Sequence, residues 1–375
     1  MPARSRWGWG ILGVAVLIAG GLVALKIATP RATKSEESNG EPSALVGQLL
    51  PSLHGATAWT GGEASPTDSL AGHVAVIAFL SVDLPASLRA LPTLAAWSDA
   101  YSGYGVRVVG VEVPAFAFAA DSATWVNAAL RLGLPFAMAL DPSLEVWRAY
   151  GARGATPRVV VAGPDGRVML DGNGIEALPQ AERALRDLIL AIHPGLRFPT
   201  SAVPDVSVSE VTHPPVHLGR VRVEHGPLAT VTPGHPVNFT AQLRYQVEGV
   251  PYTPYPVGRW TPGADGLIAA RGGAENYVAL RYDAGALGAV LGPAESGAVR
   301  LWVLRDERWL KPEEAGADVR FDGRGASYVE VNEPRLYALT RPGRGVHMVK
   351  LSPDLPGATI YAFTFEPFES AEARP

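Results

Sequence analysis

Helical periodicity runs through the first half of this chain and stops near residue 193. From about residue 216 to 366 only short strand-like segments recur, so no single fold class covers all 375 residues. That length also exceeds an ordinary domain. The break itself, residues 194–215, is rich in Pro, Ser, Thr and Val and reads as a linker.

Ahead of the break, strand and helix patterns alternate. Val74–Leu80 (VAVIAFL) is continuously apolar, as expected of a strand buried on both faces. Leu84–Tyr101 carries Leu84, Leu88, Leu91, Leu94 and Trp97 at helical spacing, and Val106–Val113 is a second buried strand. Ser122–Leu132 reads as a helix opened by an Asp121/Ser122 cap, and Leu144–Tyr150 as a short helix. Arg158–Ala162 and Arg167–Leu170 flank a Pro164-Asp165-Gly166 turn, and Leu178–Ile192 closes the series as an amphipathic helix. Residues 45–193 are therefore expected to form an α/β sandwich on a mixed sheet.

Behind the break, the expected strands are Val216–Glu224, Val237–Val247, Gly266–Arg271, Asn276–Tyr282, Ala298–Arg305, Val319–Asp322, Ser327–Val331, Arg335–Thr340, Gly345–Leu351 and Thr359–Glu366. Asp265-Gly266 and Asp322-Gly323 punctuate them as turns. Residues 216–366 are expected to be an all-β, jelly-roll-like sandwich, with 367–375 as a tail.

The N-terminus adds a third element. Arg4 and Arg6 precede the uncharged run Trp7–Leu25, which would span ~28 Å as a helix against a hydrocarbon core of about 30 Å. A cleaved signal peptide is the alternative, but the run exceeds the usual ~7–15-residue apolar region and no A-x-A site follows. Residues 1–29 are therefore expected to be an N-terminal transmembrane helix acting as a signal anchor, and 30–44 a polar stalk. This makes a single-pass protein of the cell (inner) membrane with its soluble domains on the periplasmic side.

The residue inventory excludes several chemistries. The chain has no cysteine, so it has no disulfide, thiolate metal site or thiol nucleophile of its own. A net charge of -4 without a basic stripe argues against nucleic acid. No phosphate loop, H-E-x-x-H, G-x-S-x-G or EF-hand pattern occurs, and no cofactor is expected. His213 and His217 are spaced i,i+4, but Pro214 and Pro215 forbid the helix that would aim both at one metal.

Several segments follow one another in a familiar register. They are Gly55-Ala56-Thr57-x-Trp59, the strand ending at Phe79, Leu88-Arg89-x-Leu91-Pro92, Trp97 and Gly105-Val106-x-Val108-Val109-Gly110-Val111. Pro114-x-Phe116-Ala117-Phe118, Ala139-Leu140-Asp141, Trp147 and Ala149-Tyr150-Gly151 continue the series. Over about 150 residues this resembles the membrane-associated thioredoxin-like (redoxin) domains of the DipZ and TlpA type. Val257-Gly258-Arg259-Trp260, the stretch from Val329 to Leu339 and Tyr361–Phe365 resemble the C-terminal domain that follows thioredoxin in DipZ-type proteins, a domain similar to a carbohydrate-binding module.

The resemblance implies a redox turn at Phe79–Pro92 with cysteines at the positions of Leu84 and Ser87, and a cis-proline at Thr156-Pro157 facing it. Glu112 and Ala115 replace a His and a Glu that such relatives often carry. Asp83 is expected to cap the following helix, and Ser87 has no histidine base near it in sequence. No catalytic residue is assigned.

The candidate groove is Asp83, Leu84, Thr156 and Pro157, open to a hydrophobic partner segment. Candidate glycan contacts are Tyr252, Tyr255, Trp260 and Trp309, with Trp302 expected in the core. The reading is a non-catalytic, membrane-anchored binding or assembly factor of the cell envelope. Its partner would be an envelope protein, such as a thiol-redox or cytochrome-maturation component. Two alternatives stay open: an oxidoreductase-family member working with a partner's cysteines, and a glycan-binding protein acting through the β-sandwich.

Overall fold

Val74–Leu80 is fully buried, and its side chains alternate between two cores, as a strand covered on both faces requires. The structure, a computed structural model, describes residues 44–61, 70–198, 213–220, 222–223, 226–240 and 250–367. The anchor and the stalk up to residue 43, most of the linker and most of the tail lie outside the described residues. No helix among the described residues is long and apolar enough to cross a membrane.

The first domain contains β1 (Thr57–Thr60), β2 (Val74–Leu80), β3 (Val106–Glu112), β4 (Ala137–Leu140), β5 (Arg158–Ala162) and β6 (Val168–Asn173). Its helices are α1 (Pro85–Tyr101), α2 (Ser122–Leu132), α3 (Glu145–Ala149) and α4 (Leu178–Ile192). The sheet order is β1-β4-β3-β2-β5-β6, with β2, β3 and β4 parallel and β1, β5 and β6 antiparallel to their neighbours. On one face Val76, Ala78 and Leu80 meet Leu94 and Trp97 of α1 and Leu185 and Ile189 of α4. On the other, Ile77 and Phe79 meet Val146 and Tyr150. Asp121 caps α2 as expected, its Oδ1 accepting from the Thr124 backbone N–H at 2.8 Å.

Asp83 does not cap α1. The N-cap is Leu84, held extended (φ −118°, ψ 135°) because Pro85 occupies the first helical position and disfavours a helical residue before it. Asp83 therefore sits one residue too early to reach the free N–H groups of the first turn.

The second domain is all β. Its early strands are β7 (Val216–His217), β8 (Val237–Phe239), β9 (Pro254–Pro262), β10 (Leu267–Ala269), β11 (Tyr277–Asp283) and β12 (Ala286–Gly292). The later ones are β13 (Val299–Arg305), β14 (Arg308–Trp309), β15 (Val319–Phe321), β16 (Ser327–Val331), β17 (Arg335–Ala338), β18 (Val346–Pro353) and β19 (Thr359–Glu366). They form one hydrogen-bonded network with the central path β15-β16-β13-β18-β11-β9-β10-β19-β12-β17. The halves on either side of β9 share a core that includes Trp260, Leu280, Leu301, Val329, Leu351 and Phe363.

Strand β9 joins the halves: residues 254–257 pair with β11, and residues 258–262 with β8 and β10. Gly258 sits at the change of partner with φ +91°, where a Cβ would lie 2.2 Å from the Asn276 Oδ1. That same oxygen accepts from the Arg259 N–H at 2.6 Å. Gly258→Val is expected to cost about 1–3 kcal/mol from backbone strain, plus the clash, read as a lower urea midpoint.

Three of these strands, β9, β12 and the two-residue β14, escaped the sequence reading. Strand β9 carries Pro254, Pro256 and Pro262, and β12 (ALGAVLG) is built of small residues with weak strand preference. The expected first strand shrinks to Val216–His217, because the chain turns at Arg220.

Candidate functional site

In the redox turn of the resemblance, Leu84 is half-buried and Ser87 has no exposed surface. The Ser87 Oγ accepts the Ser81 backbone N–H at 2.9 Å. The Ser81 hydroxyl donates to the Val113 carbonyl at 2.6 Å and accepts from the Thr156 hydroxyl at 3.0 Å. Thr156-Pro157 is a cis peptide, as the resemblance implied. The Ser87 hydroxyl thus helps to hold the turn.

Two carboxyl groups lie beneath the turn. Glu112, at the end of β3, has no exposed surface, and its carboxylate accepts the Val82 N–H at 3.1 Å. Burial pushes it well above the usual carboxylate range, and the charge of Asp83 pushes it further. Asp83 is 6% exposed, and burial raises it to about 7 against a weaker opposing pull from Arg131. Sequence reasoning saw Glu112 only as a replaced histidine; its place at the end of an apolar strand was the available signal.

Leu84 packs into an apolar cluster drawn from both domains. Phe116, Val290 and Ala362 form its buried centre, with Leu84, Ala115, Phe118, Leu336 and Tyr361 against them. Phe116 and Phe118 stack 5.6 Å apart in the loop after β3, and the Tyr361 ring meets them at 5.6 and 4.9 Å. His217 lies 5.6 Å from Phe116, and burial lowers its pKa to about 4. The Ala117 N–H donates to the Asp265 carboxylate at 2.5 Å, and Arg131 of α2 pairs with Glu333 at 2.6 Å. Both domains belong to one compact unit. At Leu84 the expected groove is lined by the same chain: the half-buried side chain packs against residues of β12 and β19. Strand β12, unread in the sequence, supplies Val290, which is why this contact was not foreseen.

The candidate glycan contacts also redistribute. Trp260 is fully buried, and its indole N–H donates to the Val257 carbonyl, so it belongs to the core. Tyr252 stacks on His213 at 3.6 Å, and its hydroxyl donates to the Asp283 carbonyl. The Tyr255 hydroxyl accepts the Val250 N–H at 3.0 Å. Both tyrosines are half-buried, whereas Trp309 is 42% exposed. Trp302, expected in the core, is half-buried beside Trp309. Among the described residues no cluster of metal-ligating side chains occurs, and His213 is occupied by its stack on Tyr252.

Residues 45–185 match the Redoxin family model, and residues 230–365 match the model of the thioredoxin-like C-terminal domain. The chain is similar to DipZ of Mycobacterium bovis and of Mycobacterium tuberculosis, 27% identical to each over 175 residues. That match covers 45% of this chain and only 25% of the length of DipZ. Among solved structures, a putative DsbE thiol:disulfide interchange protein from Chlorobium tepidum is 23% identical (TM-score 0.29), over 33% of this chain and 82% of that one. The Mycobacterium tuberculosis dsbF structure is 20% identical (TM-score 0.27), over 32% and 85%. The chain thus carries a thioredoxin-like Redoxin domain followed by a thioredoxin-like C-terminal domain, is similar to DipZ over part of its length, and is built without a cysteine.

Proposed function

We propose that this chain is a non-catalytic, membrane-anchored member of its family that acts as a binding or assembly factor in the cell envelope. In this reading its former redox face is closed by its own C-terminal domain. The supporting observation is Leu84, an apolar side chain in the cysteine position, packed into the Phe116–Val290–Ala362 cluster instead of facing a substrate. A nucleophile there would be both absent and covered. Residues 7–25 provide the anchor, and both domains stand on the periplasmic side. Partner recognition then belongs to surfaces away from Leu84.

The test restores the missing chemistry. Leu84→Cys with Ser87→Cys in the full chain creates a C-x-x-C at the start of α1, where the helix dipole lowers a thiol pKa. The pair is expected to oxidise to a disulfide, read as the loss of two hydrogens by mass. Insulin reduction should nevertheless stay at least ~10-fold slower than in the same variant carrying Tyr361→Asp, whose charge cannot stay buried against Phe116 and Phe118. Equal rates would show that the face is already open and overturn the reading. Failure to form the disulfide would refute the register on which it rests.

A further inference from the structure

Val46, Leu49, Tyr104, Met169 and Ile192 are exposed apolar side chains of the first domain, and they gather at one end of its sheet. Strands β2 and β3 begin at that end, whereas the turn carrying Leu84 follows the other end of β2. Residues 47–50 are joined to the same end. The Gly47 N–H donates to the Val168 carbonyl at 2.8 Å, the Val168 N–H donates to the Gln48 carbonyl at 2.9 Å, and Leu49 pairs with Arg167. Val168 points into the core, so Leu49, Arg167 and Met169 share the outward phase; Leu49 is 62% exposed and Met169 56%. A bulge leaves Met169 without a partner on β5, because Leu170 pairs with Val161 and Val168 already with Ala162. Helix α4 ends here too. Its Leu188 Cδ2 lies 3.4 Å from where a Cβ on Gly163 would stand, which brings Ile192 past the turn between β5 and β6. The His193 ring lies 6.4 Å from that of Tyr104, just ahead of β3.

We propose that this end of the first domain lies on a phospholipid bilayer, its apolar side chains entering among the headgroups. The inference rests on the reading above that residues 7–25 anchor the chain. The described structure begins at Ala44, two residues before Val46, so the patch borders the point where the chain arrives from the anchor. Residues 26–43 reach no further than ~60 Å even at full extension. Contact with the bilayer is then an intramolecular event, and a few exposed side chains suffice as a second attachment where they would not hold a free protein. The rim of the patch agrees with this partner. Arg167 is exposed, donating from Nη1 to the Gly47 carbonyl at 3.0 Å and approaching Asp165 only to 3.8 Å. Arg107 is exposed at the start of β3. Their guanidiniums suit lipid phosphates while their stems lie along apolar surface. Tyr104 offers the amphipathic ring favoured at the membrane–water boundary.

Because the chain has no cysteine, a single introduced one carries a fluorophore to a chosen place. The full chain is reconstituted in vesicles of phosphatidylcholine and phosphatidylglycerol, labelled at Gln48→Cys beside the patch or at Leu355→Cys, exposed in the second domain. Lipids carrying a nitroxide at the headgroup are expected to quench the label at 48 and to leave the label at 355 unquenched. Adding Leu49→Asp with Met169→Asp should lower the quenching at 48 to the level seen at 355, while the chain still floats with the vesicles. Both replaced side chains are largely exposed, so the fold should stay intact, which circular dichroism checks. Flotation separates the two failures. A chain that does not float with the vesicles refutes the anchor and this inference with it. A chain that floats with the label at 48 unquenched, or still quenched in the double variant, refutes the contact alone. The proposal also falls if the label at 48 is equally shielded in detergent by a dimer that the two aspartates dissociate, since the patch would then be a self-interface.

Discussion

Asp171→Ala is expected to destabilise the protein by about 3–5 kcal/mol, the usual effect of leaving one member of a buried ion pair alone. Arg158 has no exposed surface, and its Nε and one terminal nitrogen donate to the two Asp171 oxygens at 2.7 and 2.8 Å. That terminal nitrogen also donates to the Tyr150 carbonyl at 2.7 Å, and the guanidinium lies over the Trp147 and Phe79 rings at 5.3 and 5.7 Å. Without Asp171 those contacts remain, but none carries a full negative charge. Urea denaturation measures the loss. Arg158→Met with Asp171→Leu should recover most of it, because apolar residues of similar volume avoid the desolvation cost. If the double variant is as unstable as Asp171→Ala, packing rather than charge holds this site. Arg158 directly follows Pro157, so the pair also fixes the base of the loop whose Thr156 hydroxyl reaches Ser81.

The second large effect is a dependence on pH. Asp83 titrates at about 7 instead of 3.8, because the folded chain buries it. A group whose pKa is raised by folding binds more protons in the folded state, so stability falls as pH rises from about 4 to about 7 and then levels off. At ~1.4 kcal/mol per pH unit the span amounts to at most about 4 kcal/mol. Asp83→Asn keeps the shape and removes the titration. It should match the native chain near pH 4 and exceed its stability by up to about that amount at pH 8. The groups facing Asp83 electrostatically are Glu112 from β3, Arg131 from α2 and Tyr361 from β19. Glu112 is also raised, so a residual fall at higher pH should persist in the variant. A stability difference that is the same at pH 4 and pH 8 would rule out charge burial as its cause.

The first domain was legible because each of its signals is local. An apolar run names a buried strand, Asp121 names a helix start, and Pro164-Asp165-Gly166 names a turn. The Leu84 contact was not legible, because it joins residues near 84, 116, 290 and 361, and no local pattern links them. Its strand β12 is also made largely of alanine and glycine. Asp83 misled because its side-chain type suits a cap, while Pro85 moved the helix start by one residue. The place of Trp302 beside Trp309 was partly legible. Val299, Leu301 and Val303 point inward, so Arg300, Trp302 and Leu304 share the outward phase, and Arg300 should have marked Trp302 as outward-facing.

Strand β7 is where the linker enters the second domain, and it pairs with β19 at His217–Ala362 and Val216–Phe363. Ala362 belongs to the cluster around Leu84. The start of the second domain is therefore tied, through a ladder two residue pairs long, to the very strand that packs against Leu84. The entry into the second domain and the contact at the old redox turn thus share one strand, β19.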